Sequence, residues 1–230
     1  FSVFEMLSLR CGAGLAILLV IVAVRPDLRA GLKRPDLKMH LFRNAVHFLG
    51  TYGWAYGVTV LPLALVFALE FTTPAWVALL AVVFLKEKPT PARLVAIGLG
   101  FLGVLVILRP GIEGLQPAAL VVLGAAVAFG ITVATTKAMT RSESTLAILI
   151  GMNGLQLPMN LAGSDPWFWT RLPDAPLLPV LGVAVAGLSA HWCLTNAYRH
   201  GDAIMVVPLD FLRIPLIALV GFMLYAEPLD

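Results

Sequence analysis

Three charged side chains interrupt long apolar runs of the sequence: Glu70, Asp210 and Arg213. Each precedes a proline by about one helical turn or less, Pro74 in the first case and Pro215 in the other two. If such runs cross a bilayer, a charge inside one costs about 2.5–3.5 kcal/mol on insertion scales and needs a chemical reason. We expect Arg213 to meet an anionic group of a small ligand, and Glu70 to meet an amine or carry a coupling proton. The alternative for Asp210 and Arg213 is an i,i+3 ion pair that lets one helix tolerate its own charges.

Histidine and aromatic side chains supply further candidate ligand contacts. His47 and His191 lie inside apolar runs, and Trp54, Tyr56 and Trp76 lie near the same depth. A buried histidine either forms hydrogen bonds within the packing or contacts a ligand. Aromatic rings either fill a core or line a cavity for an aromatic or amphipathic solute. We therefore place all five beside the three charged residues as candidate substrate-binding positions.

Signatures of metal and cofactor chemistry are missing from the sequence. Cys11 and Cys193 have no CxxC neighbour and no His/Cys cluster. Asp27, Asp36 and Asp202 are isolated, and no GxxxxGK phosphate loop exists. We expect no metal, no cofactor and no catalytic residue, and hence a protein that is not an enzyme.

The elements that carry these residues are eight long apolar runs. The chain has 230 residues, of which 60% are hydrophobic and only 13% charged, and its mean hydropathy is +0.92. A helix needs about 20 apolar residues to cross the bilayer, whereas membrane strands are about half as long and alternate. The fold class predicted is therefore an all-α membrane protein, a polytopic helical bundle. Its runs are Val3–Val24, Leu41–Val60, Pro62–Leu85, Leu94–Leu108, Pro117–Thr136, Leu146–Gly163, Leu177–Tyr198 and Ala203–Tyr225.

Lysine and arginine predict the orientation of these runs. With alternate crossings and the first loop cytoplasmic, the opposite side holds only Arg109 and Arg171, and Arg10 and Arg213 fall inside runs. All other Lys and Arg residues are then cytoplasmic, which is a strong positive-inside bias. The basic pI of about 9.1 is therefore a topology signal, and we expect no nucleic-acid partner.

An internal repeat relates the two halves of the chain. Ala55-Tyr56, Pro74 and Glu87 recur as Ala197-Tyr198, Pro215 and Glu227, with intervals that differ by one residue. The copies lie five runs apart, an odd number, so they enter the membrane from opposite sides, as in secondary transporters. We expect two inverted five-helix repeats, in residues 1–110 (helices 2–5) and 111–230 (helices 6–9), with eight of ten transmembrane helices present. Pro74 and Pro215 are the predicted hinges.

Short motifs spread along the whole chain carry a family resemblance. They are Leu9-Arg10, Pro62-Leu63-Ala64, Thr73-Pro74-Ala75, Phe84-Leu85-Lys86-Glu87-Lys88, Ala197-Tyr198-Arg199, Pro208-Leu209, Arg213-Ile214-Pro215 and Ala226-Glu227-Pro228-Leu229. By these motifs the sequence resembles the EamA-type permeases of the drug/metabolite transporter superfamily. The resemblance implies ten helices in two inverted halves, cytoplasmic termini, a central cavity, and export or uptake of small metabolites without ATP. By this comparison the chain is a fragment lacking the first and last helices.

The function expected is secondary active transport by alternating access. The solutes are small metabolites, amino acids or other amphipathic or zwitterionic compounds, and the location is the bacterial cytoplasmic (inner) membrane. The lipid bilayer is a further expected partner. Coupling to a proton and assembly as a homodimer are both compatible with the sequence. The alternatives are an integral-membrane enzyme of the transferase type and a non-transporting membrane scaffold.

Overall fold

The structure is a computed structural model that describes residues 1–32, 35–108, 117–175 and 177–225, and the regular elements in those ranges are helices. Arg109 and Glu227, which the orientation and the repeat use, lie outside the described residues. Short 3₁₀ segments occupy Pro26–Leu32, Phe168–Arg171 and Val207–Leu212. The α-helices are α1 (Val3–Val24), α2 (Leu37–Val60), α3 (Leu63–Glu70), α4 (Thr73–Leu85), α5 (Pro91–Leu108), α6 (Pro117–Met139), α7 (Thr145–Leu161), α8 (Leu177–His200), α9 (Ala203–Val206) and α10 (Arg213–Tyr225).

Polar residues in front of the apolar runs determine where several helices begin. The α2 helix starts before its apolar run because the Asp36 side chain accepts a hydrogen bond from the Met39 N–H at 3.1 Å. At the start of α7, the Ser144 hydroxyl accepts from the Ala147 N–H at 3.1 Å. Such caps satisfy amide groups that have no partner within the helix. Helix starts thus extend beyond the hydropathy boundary wherever a capping side chain is available.

Two of the apolar runs form interrupted helices. The Pro62–Leu85 run forms α3 and α4, separated at Phe71 and Thr72, and the Ala203–Tyr225 run forms α9, a 3₁₀ segment and α10. Pro74 stands in the first turn of α4, where its missing N–H has no helical partner to lose. Pro215 likewise stands in the first turn of α10. The prolines therefore lie just after breaks in these spans.

Close packing of α2 against α6 brings the first and second halves of the chain together. A Cβ atom at Gly50 would lie 3.1 Å from the Cβ of Ala128, and one at Gly57 would collide with Val122. Glycine at these positions lets the two backbones approach, as small residues do in membrane helix pairs. Helix α1 likewise packs along α7. The most extensive helix contacts of the bundle therefore join the first half of the chain to the second.

The outer surface of the bundle is apolar. Within the described residues, four helical stretches are long and apolar enough to cross a membrane: Val3–Val24, Leu65–Leu85, Pro117–Met139 and Leu178–His200. Leucine, valine and phenylalanine side chains point outward, and Leu178 is 83% exposed. A soluble surface does not carry this many exposed large apolar groups. The protein is a helical membrane protein with several spans.

Candidate functional site

The carboxylate of Glu70 is held by partners from two other helices. Its Oε1 accepts a hydrogen bond from Nη2 of Arg213 at 2.7 Å, and its Oε2 accepts from Nε1 of Trp54 at 2.7 Å. The side chain is 14% exposed. Neither partner lies on α3, the helix that ends at Glu70, because Trp54 comes from α2 and Arg213 from α10.

Arg213 stands between Glu70, Asp210 and an aromatic ring. Its Nη2 lies 3.7 Å from Oδ2 of Asp210, and its guanidinium carbon lies 5.1 Å from the centre of the Phe71 ring. The Nε atom is buried without a hydrogen-bond partner among the described residues. The rest of the guanidinium is accessible, because the side chain is 41% exposed. Arg213 is therefore a cation with donor capacity left for a ligand.

The i,i+3 contact between Asp210 and Arg213 is the longer of the two charge contacts. Asp210 belongs to the 3₁₀ segment and is half exposed, so the two residues do not share a regular α-helical face. The short contact of Arg213 is instead made with Glu70, which lies 143 positions away in the sequence. An ion pair within one helix therefore accounts for only part of the arrangement.

Glu70 stands at a helix end that disfavours its charge. Glu70 is the last residue of α3, where the helix dipole is negative. A dipole of this kind changes the free energy of a terminal charge by about 0.3–1 kcal/mol. Arg213 begins α10, but its N–H group bonds to the preceding 3₁₀ segment, so no free helix N-terminus acts on its charge. Since the end of α3 does not stabilise Glu70, this position suits a cationic partner across the bundle or on a ligand.

The two histidines meet each other away from this pair. The rings of His47, on α2, and His191, on α8, are 6.1 Å apart and nearly perpendicular. The Phe129 ring is 6.0 Å from His47. The Nδ1 atom of His47 is buried without a partner among the described residues. The structure therefore brings the histidines together, at a point about two helical turns from Trp54 along α2.

The remaining predicted positions are divided between the site and the surface. Trp76 lies beside the α3–α4 break, where its Nε1 donates to Oγ1 of Thr72 at 3.2 Å. Tyr56 is 51% exposed, and its recorded hydrogen bond is the one that its backbone oxygen accepts from Thr59. The structure does not bring Tyr56 to Glu70 or Arg213 within the part of the chain it describes.

A buried polar cluster at the α2–α7 contact was missed by the sequence reasoning. Arg43 was counted with the loop cations, but it is only 4% exposed and lies within α2. Its neighbour Asn44 accepts from Arg43 and from the Gln156 amide of α7, whose Nε2 lies 3.0 Å from the Asn44 backbone oxygen. A usable signal existed, because polar residues recur along α7 at intervals of three and four, at Asn153, Gln156 and Asn160.

Metal ligation is not supported within the described ranges, since no group of three or more His, Cys, Asp or Glu side chains there could hold an ion.

A cavity of about 420 Å³ opens between α1, α7 and α8, lined mainly by apolar groups such as Leu157, Leu161 and Phe168. None of the predicted site residues lines it. The charges, and not this apolar cavity, therefore mark the candidate site.

Comparisons with known proteins agree with this architecture. The EamA-like transporter family matches residues 1–109. A riboflavin transporter of Brucella anthropi is 33% identical over 216 residues, which cover 91% of this chain and 75% of that protein. An S-adenosylmethionine uptake transporter of Rickettsia felis is 27% identical over 190 residues, or 82% of this chain and 64% of that protein. One solved crystal structure matches with a TM-score of 0.79 and 16% identity, covering 99% of this chain and 80% of the other, which shows the fold alone.

The class of protein defined by these findings is a multi-pass membrane transporter for small molecules. The chain belongs to the EamA-like transporter family and is an EamA-type permease of the drug/metabolite transporter superfamily, as its motifs predicted. The family and the named relatives are transporters, which agrees with the expectation that the chain is not an enzyme.

Proposed function

We propose that this protein is a secondary active transporter that moves small metabolites across the bacterial inner membrane by alternating access. The observation that carries the proposal is the Glu70–Arg213 pair, which joins two interrupted helices from different halves of the chain. Interrupted helices with charged or polar groups at the break are where transporters of this type bind solute. Substrates of the named relatives, riboflavin and S-adenosylmethionine, are the first compounds to test.

The proposed topology has eight of ten crossings, arranged as two inverted five-helix repeats in residues 1–110 and 111–230. It is supported by the two breaks, because α3–α4 and α9–α10 occupy corresponding places in the repeat. In each copy a charged residue stands at the break, Glu70 in the first and Arg213 in the second, and a proline follows in the first turn of the next helix. The loops rich in Lys and Arg are assigned to the cytoplasm.

In the proposed mechanism, a solute replaces contacts within the Glu70–Arg213 pair. An amine of the solute, or a coupling proton, occupies Glu70, while an anionic group occupies the free donors of Arg213. Trp54 fixes one carboxylate oxygen throughout, and Trp76 contacts the solute beside the α3–α4 break. Tyr56 is exposed and the histidines lie about two helical turns from Trp54, so they take part only if the movement of the halves brings them to the solute. The two halves then rock about the breaks next to Pro74 and Pro215.

In this mechanism, contacts of Glu87 and Arg93 with the start of α9 would keep the end that carries the Lys- and Arg-rich loops closed. The carboxylate of Glu87 accepts from the N–H groups of Ala203 and Ile204 at 2.9 and 3.0 Å. Arg93 and Asp202 form an ion pair of 2.8 Å beside them. These contacts tie the α4–α5 connection to the start of α9, so opening at this end requires that they break.

Flux into proteoliposomes tests the proposal. Riboflavin, S-adenosylmethionine and a panel of amino acids are offered with and without an imposed proton gradient. Glu70→Gln and Arg213→Ala each remove one charge-assisted contact, and we expect flux to fall about tenfold or more. Asp27→Asn and Arg25→Ala change an exposed ion pair outside the spans and should leave flux unchanged.

The two parts of the proposal fail in different ways. If the wild-type protein moves no solute of the panel under any gradient, transport of this class is wrong. If it does move a solute and both Glu70→Gln and Arg213→Ala match the wild-type rate, only the assignment of the site is wrong. A homodimer would be detected separately, from the mass of the protein in nanodiscs.

A further inference from the structure

A second group of cations inside the bundle has no carboxylate partner among the described residues. Arg10 lies on α1 and Arg43 on α2, and neither forms an ion pair in the described part of the chain. Arg43 is 4% exposed, and its contacts are to neutral oxygens: Nε donates to Oγ1 of Thr136 at 3.2 Å and Nη1 to Oδ1 of Asn44 at 2.9 Å. Its Nη2 has no recorded acceptor there.

Several other arginines of the protein find acidic partners. Arg213 pairs with Glu70, Arg93 pairs with Asp202, and Arg171 pairs with Glu5. Arg29, Arg141 and Arg199 bond to neutral oxygens, but they lie at helix ends and are not buried. Arg43 combines neutral partners with burial, which is costly because charged side chains at bilayer depth are normally paired.

The two arginines are close to the two histidines. Arg43 is one helical turn before His47 on α2, Arg10 contacts α8 at Gly187, one turn before His191, and the two histidine rings are 6.1 Å apart. The buried Nδ1 of His47 has no hydrogen-bond partner in the described ranges. We call these four residues the basic cluster. Four basic side chains converge here, and no acidic side chain of the described residues contacts either arginine to balance them.

The backbone of α8 is adapted to hold Arg10 in this cluster. A Cβ atom at Gly187 would lie 2.7 Å from Cδ of Arg10, closer than real Cβ contacts allow. Gly187 is one helical turn before His191 and therefore lies on the same face of α8. The stem of Arg10 thus passes over the α8 backbone next to His191. This contact holds the side chain of Arg10 beside the histidine, so that it does not extend to the membrane surface.

We propose that the basic cluster is a binding site for a small carboxylate-sized anion. The missing negative charge is supplied by the ligand, which accepts hydrogen bonds from the free Nη2 of Arg43 and from Arg10. Guanidinium groups are well suited to carboxylates because their donors are planar and permanently charged. The anion is either the carboxylate of a transported solute or a free anion that travels with it.

This inference rests on the proposed transport function and adds the class of solute. The basic cluster lies about two helical turns, roughly 10 Å, from Trp54 and its partner Glu70 along α2. A solute whose charges are close together would place its anionic group on Arg213, as in the mechanism above, whereas a zwitterion with charges about 10 Å apart would place its carboxylate in the basic cluster and its amine at Glu70. Solutes without a carboxylate would need the free anion instead.

Anion binding is measured on the purified full chain in nanodiscs, without any transport. The protein is titrated with acetate and, separately, with chloride at constant ionic strength, and the midpoint of thermal unfolding is followed. We expect a saturable rise of the midpoint in the wild type. In Arg10→Gln and in Arg43→Gln the apparent Kd for the anion should be about 10- to 100-fold weaker, since each loses a charge-assisted hydrogen bond. Arg25→Gln, an exposed arginine paired with Asp27, is the matched control and should behave like the wild type.

Gly187→Ala provides a test that removes no charge. The added methyl group displaces the stem of Arg10, so the anion affinity should fall although all four basic side chains remain. Gly182→Ala, on the same helix with open space around the new methyl group, should leave the affinity unchanged. If Arg43→Gln does not fold, the anion affinities of Gly187→Ala and Gly182→Ala still test the proposed site.

The source of the anion follows from competition. If acetate and carboxylate-bearing solutes displace one another while chloride has no effect, the site holds the solute's carboxylate. If chloride saturates the site and accelerates flux, it holds a free anion. The inference is overturned if the wild type gives no saturable anion effect, or if the two arginine variants bind as tightly as the wild type. Since binding is read without flux, this failure would leave the proposed transport function standing.

Discussion

The contact between Glu70 and Arg213 should be measurable as a coupling free energy. Glu70→Gln keeps the shape of the side chain and an acceptor for Trp54, but it removes the charge opposite Arg213. A hydrogen bond to a charged group contributes about 1.5–3 kcal/mol. Arg213 is 41% exposed and has Asp210 within 3.7 Å, so solvent and the second carboxylate replace part of the loss. We therefore expect a coupling of about 1–1.5 kcal/mol, at or just below the lower limit of that range.

A double-mutant cycle provides the measurement. The wild type, Glu70→Gln, Arg213→Gln and the double variant are unfolded reversibly in mixed micelles, and the four free energies of unfolding are combined. The exposed pair Arg25–Asp27 gives the control cycle, in which the coupling should be much smaller. If the Glu70–Arg213 cycle is additive to within about 0.3–0.5 kcal/mol, the two side chains do not interact in the folded protein. The site proposed from this contact would then be untenable.

Three further changes test the packing and the helix ends. Gly57→Ala places a methyl group against Val122 at the α2–α6 contact and should lower the free energy of unfolding by about 1–3 kcal/mol. Gly98→Ala, with open space around the new methyl group, should leave it unchanged. Both free energies are measured by reversible unfolding. Ser144→Ala removes the cap of α7 and should lower the free energy of unfolding by about 1 kcal/mol, with faster hydrogen exchange confined to the first turn. Glu87→Gln weakens the contact with the start of α9 and should speed hydrogen exchange of residues 203–206; unchanged exchange there would show that this contact does not keep that end closed.

The apolar runs were predicted well because bilayer thickness and helix rise together leave little freedom. The run Val3–Val24 coincides with α1, and the run Leu177–Tyr198 lies within α8. Interruptions within runs were harder to predict. Pro74 and Pro215 indicated roughly where the helices are interrupted. Hydropathy does not show that α3 ends at Glu70 or that a 3₁₀ segment precedes Arg213.

The contacts of the candidate site depended on tertiary packing. The sequence identified Glu70 and Arg213 as charges that needed partners, but nothing local indicates that the two pair across 143 positions. Arg43 was assigned to a loop because it lies near the start of its apolar run, and the cap at Asp36 moved that boundary outward. Tyr56 was selected as an aromatic residue near the depth of the charges and is 51% exposed, since depth along a helix does not determine which face a side chain occupies.

The placement of Glu70 at the end of α3 has a consequence for leakage in the proposed mechanism. If the halves separate as proposed, Glu70 loses the contact with Arg213 and is left facing the unfavourable end of its own helix dipole. A bound solute or proton would compensate for this, and an empty site would not. An unloaded protein would then meet a higher barrier to reorientation than a loaded one. Empty cycles would be rare, and they would not dissipate the gradient that the proposal requires.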